Sequence, residues 1–118
     1  MRGVLVAVPK PVVLRSEAYR RWVATQPCIS CGIEGFSQCA HSNLAEHGKG
    51  KSMKACDSAT FALCGPRPGH QGCHTLFDSG LDWEKEARAV HARRWVGMTQ
   101  ARAECEGWVF DTDGIRKP

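Results

Sequence analysis

Long apolar runs are missing from this chain of 118 residues; no stretch approaches the roughly 20 residues that cross a bilayer. No secretory signal is evident in the first residues either. Met1 to Val13 has apolar patches, but Pro9, Lys10 and Pro11 interrupt them and no cleavage pattern follows. Internal repeats and low-complexity segments are absent, which sets solenoids and tethers aside. An even cysteine count is also lacking, since seven thiols cannot all pair within one chain. The expected compartment is the cytoplasm, where thiols stay reduced and clustered cysteines read as metal ligands before disulfides. A small disulfide-stabilised interaction protein is the lesser alternative.

What is present is modest in size and mildly basic. One domain is expected at this length, with a small core that a metal staple would help to hold. Net charge is +4, from 16 Lys+Arg against 12 Asp+Glu. That balance suits a polyanion without demanding one. Lys49, Lys51 and Lys54 share a glycine-containing loop, and Arg20, Arg21, Arg88, Arg93 and Arg94 fall on expected helices.

Along the chain, residues 1–15 read as an arm, 16–106 as the functional domain and 107–118 as a tail. Ser16 is an N-cap for a helix of about ten residues with Ala18, Tyr19, Trp22 and Val23 on one stripe, stopped by Pro27. Cys39-Ala40-His41 and Thr60-Phe61-Ala62-Leu63 read as short strands, with a loop over 44–58 between them. Gly65-Pro66-Arg67-Pro68-Gly69 is a rigid turn. A helix starts near Cys73 or His74 and ends at Gly80. Trp83, Ala87, Val90 and His91 predict another over about 82–95, broken by Gly97, with Thr99 capping a last helix to about Glu106.

Two constellations carry chemistry. Cys28 and Cys31 have the C-x₂-C spacing of a metal knuckle, which aims two sulfurs at one point. Cys64 and Cys73 supply the other half of a structural zinc site, with His70 as an alternative to Cys73. Cys39, Cys56 and Cys105 read as small buried apolar residues. The second constellation is His74 and Asp78, spaced i, i+4, which share one helix face and can share a divalent metal. A ββα unit brings strand and helix together, so His41 can face the same metal. Phosphodiester hydrolysis needs such a metal, a base such as His41, and a group to orient the base, here Asp57 or Asn43. The carboxylate of Asp78 suits Mg²⁺ or Mn²⁺, and imidazole also suits zinc or nickel. Lys49, Lys51 and Lys54 can clamp phosphates without reading bases.

Cys-Ile-Ser-Cys-Gly, Ala-His-Ser-Asn, Lys-Gly-Lys-Ser-Met-Lys-Ala-Cys-Asp, Leu-Cys and Cys-His-Thr-Leu-Phe-Asp together resemble HNH (ββα-metal) endonucleases of phages and prophages, over about residues 17–95. The nearest resemblance is to the RecA-dependent, recombination-enhancing group. It implies an α+β fold: a small zinc-braced ββα-metal core with flanking helices. It also implies a DNA endonuclease acting in phage or prophage recombination inside a bacterial host, with a RecA-like filament as a partner. With no dedicated base-reading helix in the sequence, low sequence specificity is expected. His41 corresponds to the general base, and His74 and Asp78 to the helix-borne metal ligands. The position before the base usually ligates the metal, and here it is Ala40, so either the metal is held more loosely, with extra waters, or His41 is itself a ligand and another group, such as His47, is the base. The rival reading is a non-catalytic, zinc-ribbon-like nucleic-acid-binding module.

Overall fold

The computed structural model describes residues 14–47, 49, 55–80 and 84–118. Its elements run α1 (Glu17–Ala24), β1 (Ser37–His41), a 3₁₀ turn (Ala45–His47), β2 (Thr60–Cys64), α2 (Cys73–Ser79), α3 (Lys85–Cys105), β3 (Val109–Asp111) and β4 (Gly114–Arg116). This is a small α+β fold. The described strands make two antiparallel hairpins, β1–β2 and β3–β4. No described helix is long and apolar enough to cross a membrane.

The central hairpin organises everything else. Its register runs from Ser37 opposite Cys64 to His41 opposite Thr60. Side chains alternate between the two faces of a strand, so Gln38 and Ala40 look one way and Cys39 and His41 the other. The Ala40 face carries Phe61, whose ring meets Phe77 of α2 at 5.4 Å and Trp95 of α3 at 5.3 Å. The Cys39 face carries Ala62, buried with Tyr19 and Val23 of α1 and with Trp108 and Ile115. One thin hairpin thus separates two apolar clusters.

Local signals explain the helix ends. Ser16 caps α1, its Oγ accepting from the Tyr19 N–H at 3.1 Å. α2 begins where Gly72, at φ 94°, turns the chain against the end of β2. A Cβ there would lie 2.6 Å from the Gly65 carbonyl carbon, so only glycine permits both the turn and the approach. Gly80 closes α2 in the left-handed conformation.

Three expectations are corrected. Gly97 does not break a helix and Thr99 does not cap one; α3 runs through both as 21 continuous residues. Its buried stripe is Ala92, Trp95, Val96, Thr99 and Ala103, whereas Val90 is exposed. Burial of that stripe outweighs the roughly 1 kcal/mol that a helical glycine costs. Residues 107–118 are not a tail but carry the β3–β4 hairpin, turned at Thr112-Asp113. Trp108 and Phe110 reach Tyr19 edge-on at 5.2 and 5.1 Å, so aromatic burial docks the segment. Cys105 is exposed rather than buried, while Cys56 is buried and Cys39 partly so.

Residues 1–13 of the expected arm, and Trp83, lie outside the described residues. Leu14 is tied down: its N–H points at Cys56 Sγ at 3.1 Å, and its carbonyl accepts from Asp57 N–H at 2.9 Å.

Candidate functional site

The four cysteines Cys28, Cys31, Cys64 and Cys73 place their sulfurs within 4.8 Å of one another and can hold a metal ion. The knuckle is shaped by the Gly32 N–H, which donates to the Cys28 carbonyl at 2.8 Å. It is fixed to the hairpin by the Ile29 N–H, which donates to the Ala62 carbonyl at 2.8 Å. β2 ends on Cys64 and α2 begins on Cys73. A tetrahedral metal–thiolate site with bonds of about 2.3 Å holds its sulfurs about 3.8 Å apart; Cys31 Sγ and Cys64 Sγ are 3.8 Å apart. Burial pushes the Cys64 thiol up, yet the Cys73 N–H, the Arg67 guanidinium and the neighbouring thiols outweigh it and lower its pKa. Burial, the Cys64 contact and the charge of Cys28 raise that of Cys73. Four thiolates this close repel one another, and a divalent cation at their centre supplies the charge that lets all of them ionise. His70 stays outside the cluster, its Nδ1 accepting from the Gly72 N–H at 2.8 Å.

A second centre lies on the Cys39 face. His41 Nε2 and Asp57 Oδ1 are 2.8 Å apart. The Asp57 side chain is only 1% exposed, against 18% for His41. Its Oδ2 also accepts from the Ser16 N–H at 2.7 Å and from the Arg20 guanidinium. Burial alone would raise the Asp57 pKa, but the hydrogen bonds from His41, Ser16 and Arg20 hold it below the usual value. An ionised carboxylate only accepts, so His41 Nε2 is the donor. In neutral imidazole that leaves the lone pair on Nδ1.

The third centre lies on the Ala40 face. His74 Nε2 and Asp78 Oδ2 are 3.2 Å apart, one helical turn from each other, with side chains 24% and 62% exposed. His74 Nδ1 meets Gln38 Oε1 of β1 at 2.8 Å. Gln38 can lie there because Gly65 has no side chain: a Cβ at that position would be 2.6 Å from Gln38 Nε2.

The predicted residues therefore divide. Among the described residues the four cysteines are the one group of three or more metal-ligand side chains gathered at a point. His41 lies on the opposite hairpin face from His74 and Asp78, and Ala40 stands on theirs, fully buried. Asp57 is the group bonded to His41, whereas Asn43 is exposed. His47 Nδ1 contacts Ser42 Oγ at 2.6 Å, and burial, then the nearby Arg93, lowers its pKa although Glu46 pulls the other way. Lys49 is exposed, and Lys51 and Lys54 lie outside the described residues. Sequence reasoning missed Gln38 and gave Arg20 no part in the site. Strand alternation from Ala40 points to the first. Nothing in the sequence pairs Arg20 with Asp57, 37 residues away.

No curated protein and no solved structure matches this chain. Residues 3–90 match a family described as "Protein of unknown function (DUF968)", and the chain belongs to that family.

Proposed function

We propose that this protein is a metal-dependent endonuclease that hydrolyses DNA phosphodiester bonds, braced by a structural zinc ion on Cys28, Cys31, Cys64 and Cys73. The observation that carries the reading is the His41–Asp57 pair. A buried, ionised Asp57 fixes the imidazole and its tautomer and leaves Nδ1 basic, as a general base for an attacking water requires. His74 and Asp78 are the residues that would hold the catalytic cation, with water completing its shell. Because they lie on the other hairpin face from His41, the reading requires the phosphate to sit at the end of the strand, within reach of both. Their imidazole–carboxylate set and their exposure fit Mg²⁺ or Mn²⁺, which keep several waters. Such a cation polarises a phosphate oxygen and stabilises the leaving one. Gln38 holds the His74 ring, and Lys49 offers an exposed charge for the backbone.

A second reading is a zinc-braced nucleic-acid-binding module without catalysis. It is favoured by the separation of His41 from His74 across the hairpin and by Ala40 at the position facing α2. One assay separates the two: cleavage of supercoiled plasmid and circular single-stranded DNA with Mg²⁺ or Mn²⁺, with and without a recombinase filament. His41→Ala and His74→Ala should each lower cleavage about 100-fold or more while keeping the zinc content of the wild type. Wild-type rates in both variants would sink the nuclease reading. DNA binding with no cleavage under any condition would establish the module.

A further inference from the structure

Phe36, Val90 and Met98 are the large apolar side chains left exposed among the described residues, and Phe36 is the aromatic one, 46% exposed. Its place is specific. The Phe36 carbonyl accepts from the Gly65 N–H at 2.8 Å, so the β1–β2 ladder continues through it. By alternation Phe36 shares a face with Gln38, about 7 Å along the strand, and Gln38 bonds His74. The Arg67 guanidinium lies 5.7 Å from the Phe36 ring centroid. Arg67 is not a loose arm, because its Nη1 also donates to Cys64 Sγ at 3.2 Å. An exposed ring with a pinned cation over one of its faces, together with the amide of Gln38, thus forms a strip that leads to the His74–Asp78 pair.

We infer that this strip is a stacking subsite for an unpaired nucleobase, with Phe36 as the platform and Arg67 as its cation, and that the protein therefore prefers single-stranded DNA to duplex. The chemistry fits that ligand. Every base has a π-face, so one exposed ring holds a single strand without reading sequence. A guanidinium beside the ring adds attraction to the base and to the neighbouring phosphate. A duplex keeps its bases stacked on one another and offers none to the ring. The net charge of +4 favours a polyanion. The inference deepens the nuclease reading by naming its substrate state, and it rests on that reading only for the purpose of the strip, not for its binding.

The test is binding, without cleavage. Zinc-loaded protein with no Mg²⁺ or Mn²⁺ added is titrated against a short fluorescent oligodeoxythymidylate and against a duplex of equal length, by anisotropy. Phe36→Ala and Phe36→Leu should each weaken single-strand binding about tenfold, and Phe36→Trp should hold or improve it. Duplex binding should not change in any of them. Zinc content and melting temperature serve as the folding control, and Phe36 is exposed enough for all three variants to pass it. The inference is overturned if wild type does not bind the single strand, if Phe36→Leu binds like wild type, or if duplex and single strand weaken together. Failure of plasmid cleavage leaves a positive result here standing. Loss of the Phe36 dependence leaves the nuclease reading standing.

Discussion

Two histidine–aspartate pairs flank the same hairpin and differ in almost every respect that matters. His41–Asp57 joins residues 16 apart in the chain, and its carboxylate is 1% exposed. His74–Asp78 joins residues one helical turn apart, and its carboxylate is 62% exposed. Asp57 has its acceptor sites taken by His41, Ser16 and Arg20, so it links α1, β1 and the turn before β2. Among the described residues Asp78 has one such contact, to His74. A buried ionised carboxylate with a full set of donors is a fixed part of the fold. An exposed one with open coordination is available to a cation. The same two residue types therefore form a buried structural link on one face and an exposed, open pair on the other.

The two faces are joined at the sulfur cluster. Cys64 ends β2 and accepts from the Cys73 N–H at 3.3 Å where α2 begins. Structural zinc contributes on the order of 10 kcal/mol in small domains, more than such a fold has to spare. Cys64→Ser should lose both the metal and the cooperative thermal transition, read by metal analysis and circular dichroism. A variant that melts like wild type would show that the cluster is not the brace.

Removing each aspartate sharpens the contrast. Asp57→Ala leaves His41 and Arg20 without their buried partner and should cost about 3 kcal/mol in urea unfolding. Asp78→Ala should stay within about 0.5 kcal/mol of wild type and, on the proposed nuclease reading, lose cleavage. Equal destabilisation by the two would erase the distinction drawn here.

Acid should act on the buried Asp57. The folded pKa of Asp57 is depressed: burial opposes the charge, but the bonds from His41, Ser16 and Arg20 win. Its stabilising contribution is then whole above the unfolded value of about 3.9. It is lost as pH falls through the lower, folded value. Stability of the wild type should therefore drop more steeply below about pH 4 than that of Asp57→Asn, which has no such proton to bind. Parallel curves would count against an ionised Asp57.

The smallest effect tests the long helix that spans both clusters. Nothing lies within 4 Å of a Cβ built on Gly97. Gly97→Ala should raise stability by about 0.5 to 1 kcal/mol. A loss would mean that the glycine is needed for a break in α3.

Much of this was legible in advance because its signals are local. Ser16 before an apolar stripe, the Cys28–Cys31 knuckle and the Gly80 stop each act within a turn or two of chain. The C-terminal hairpin has a local signal too, since Asp113-Gly114 marks a turn, although the loop falls one residue earlier, at Thr112-Asp113. α3 was misread because Gly97 looked like a stop, while the burial that overrides it comes from Phe61 and Tyr19 in distant segments.

Sequence alone pointed to the Cys28–Cys31 knuckle with Cys64, to short strands on either side of the 44–58 loop, to a helix opening at Cys73 or His74 and to the i, i+4 spacing of His74 and Asp78. Those depend on spacing and on backbone geometry fixed over a few residues. The choice of Cys73 over His70 came from the fold. Only the tertiary structure decided that Asp57 serves His41, that Arg20 and Ser16 serve Asp57, and that His41 and His74 look in opposite directions. The physical reason is the two-residue period of a strand. Moving one position along β1 turns a side chain from one face to the other, and which face meets α1 and which meets α2 is settled by packing across the whole molecule.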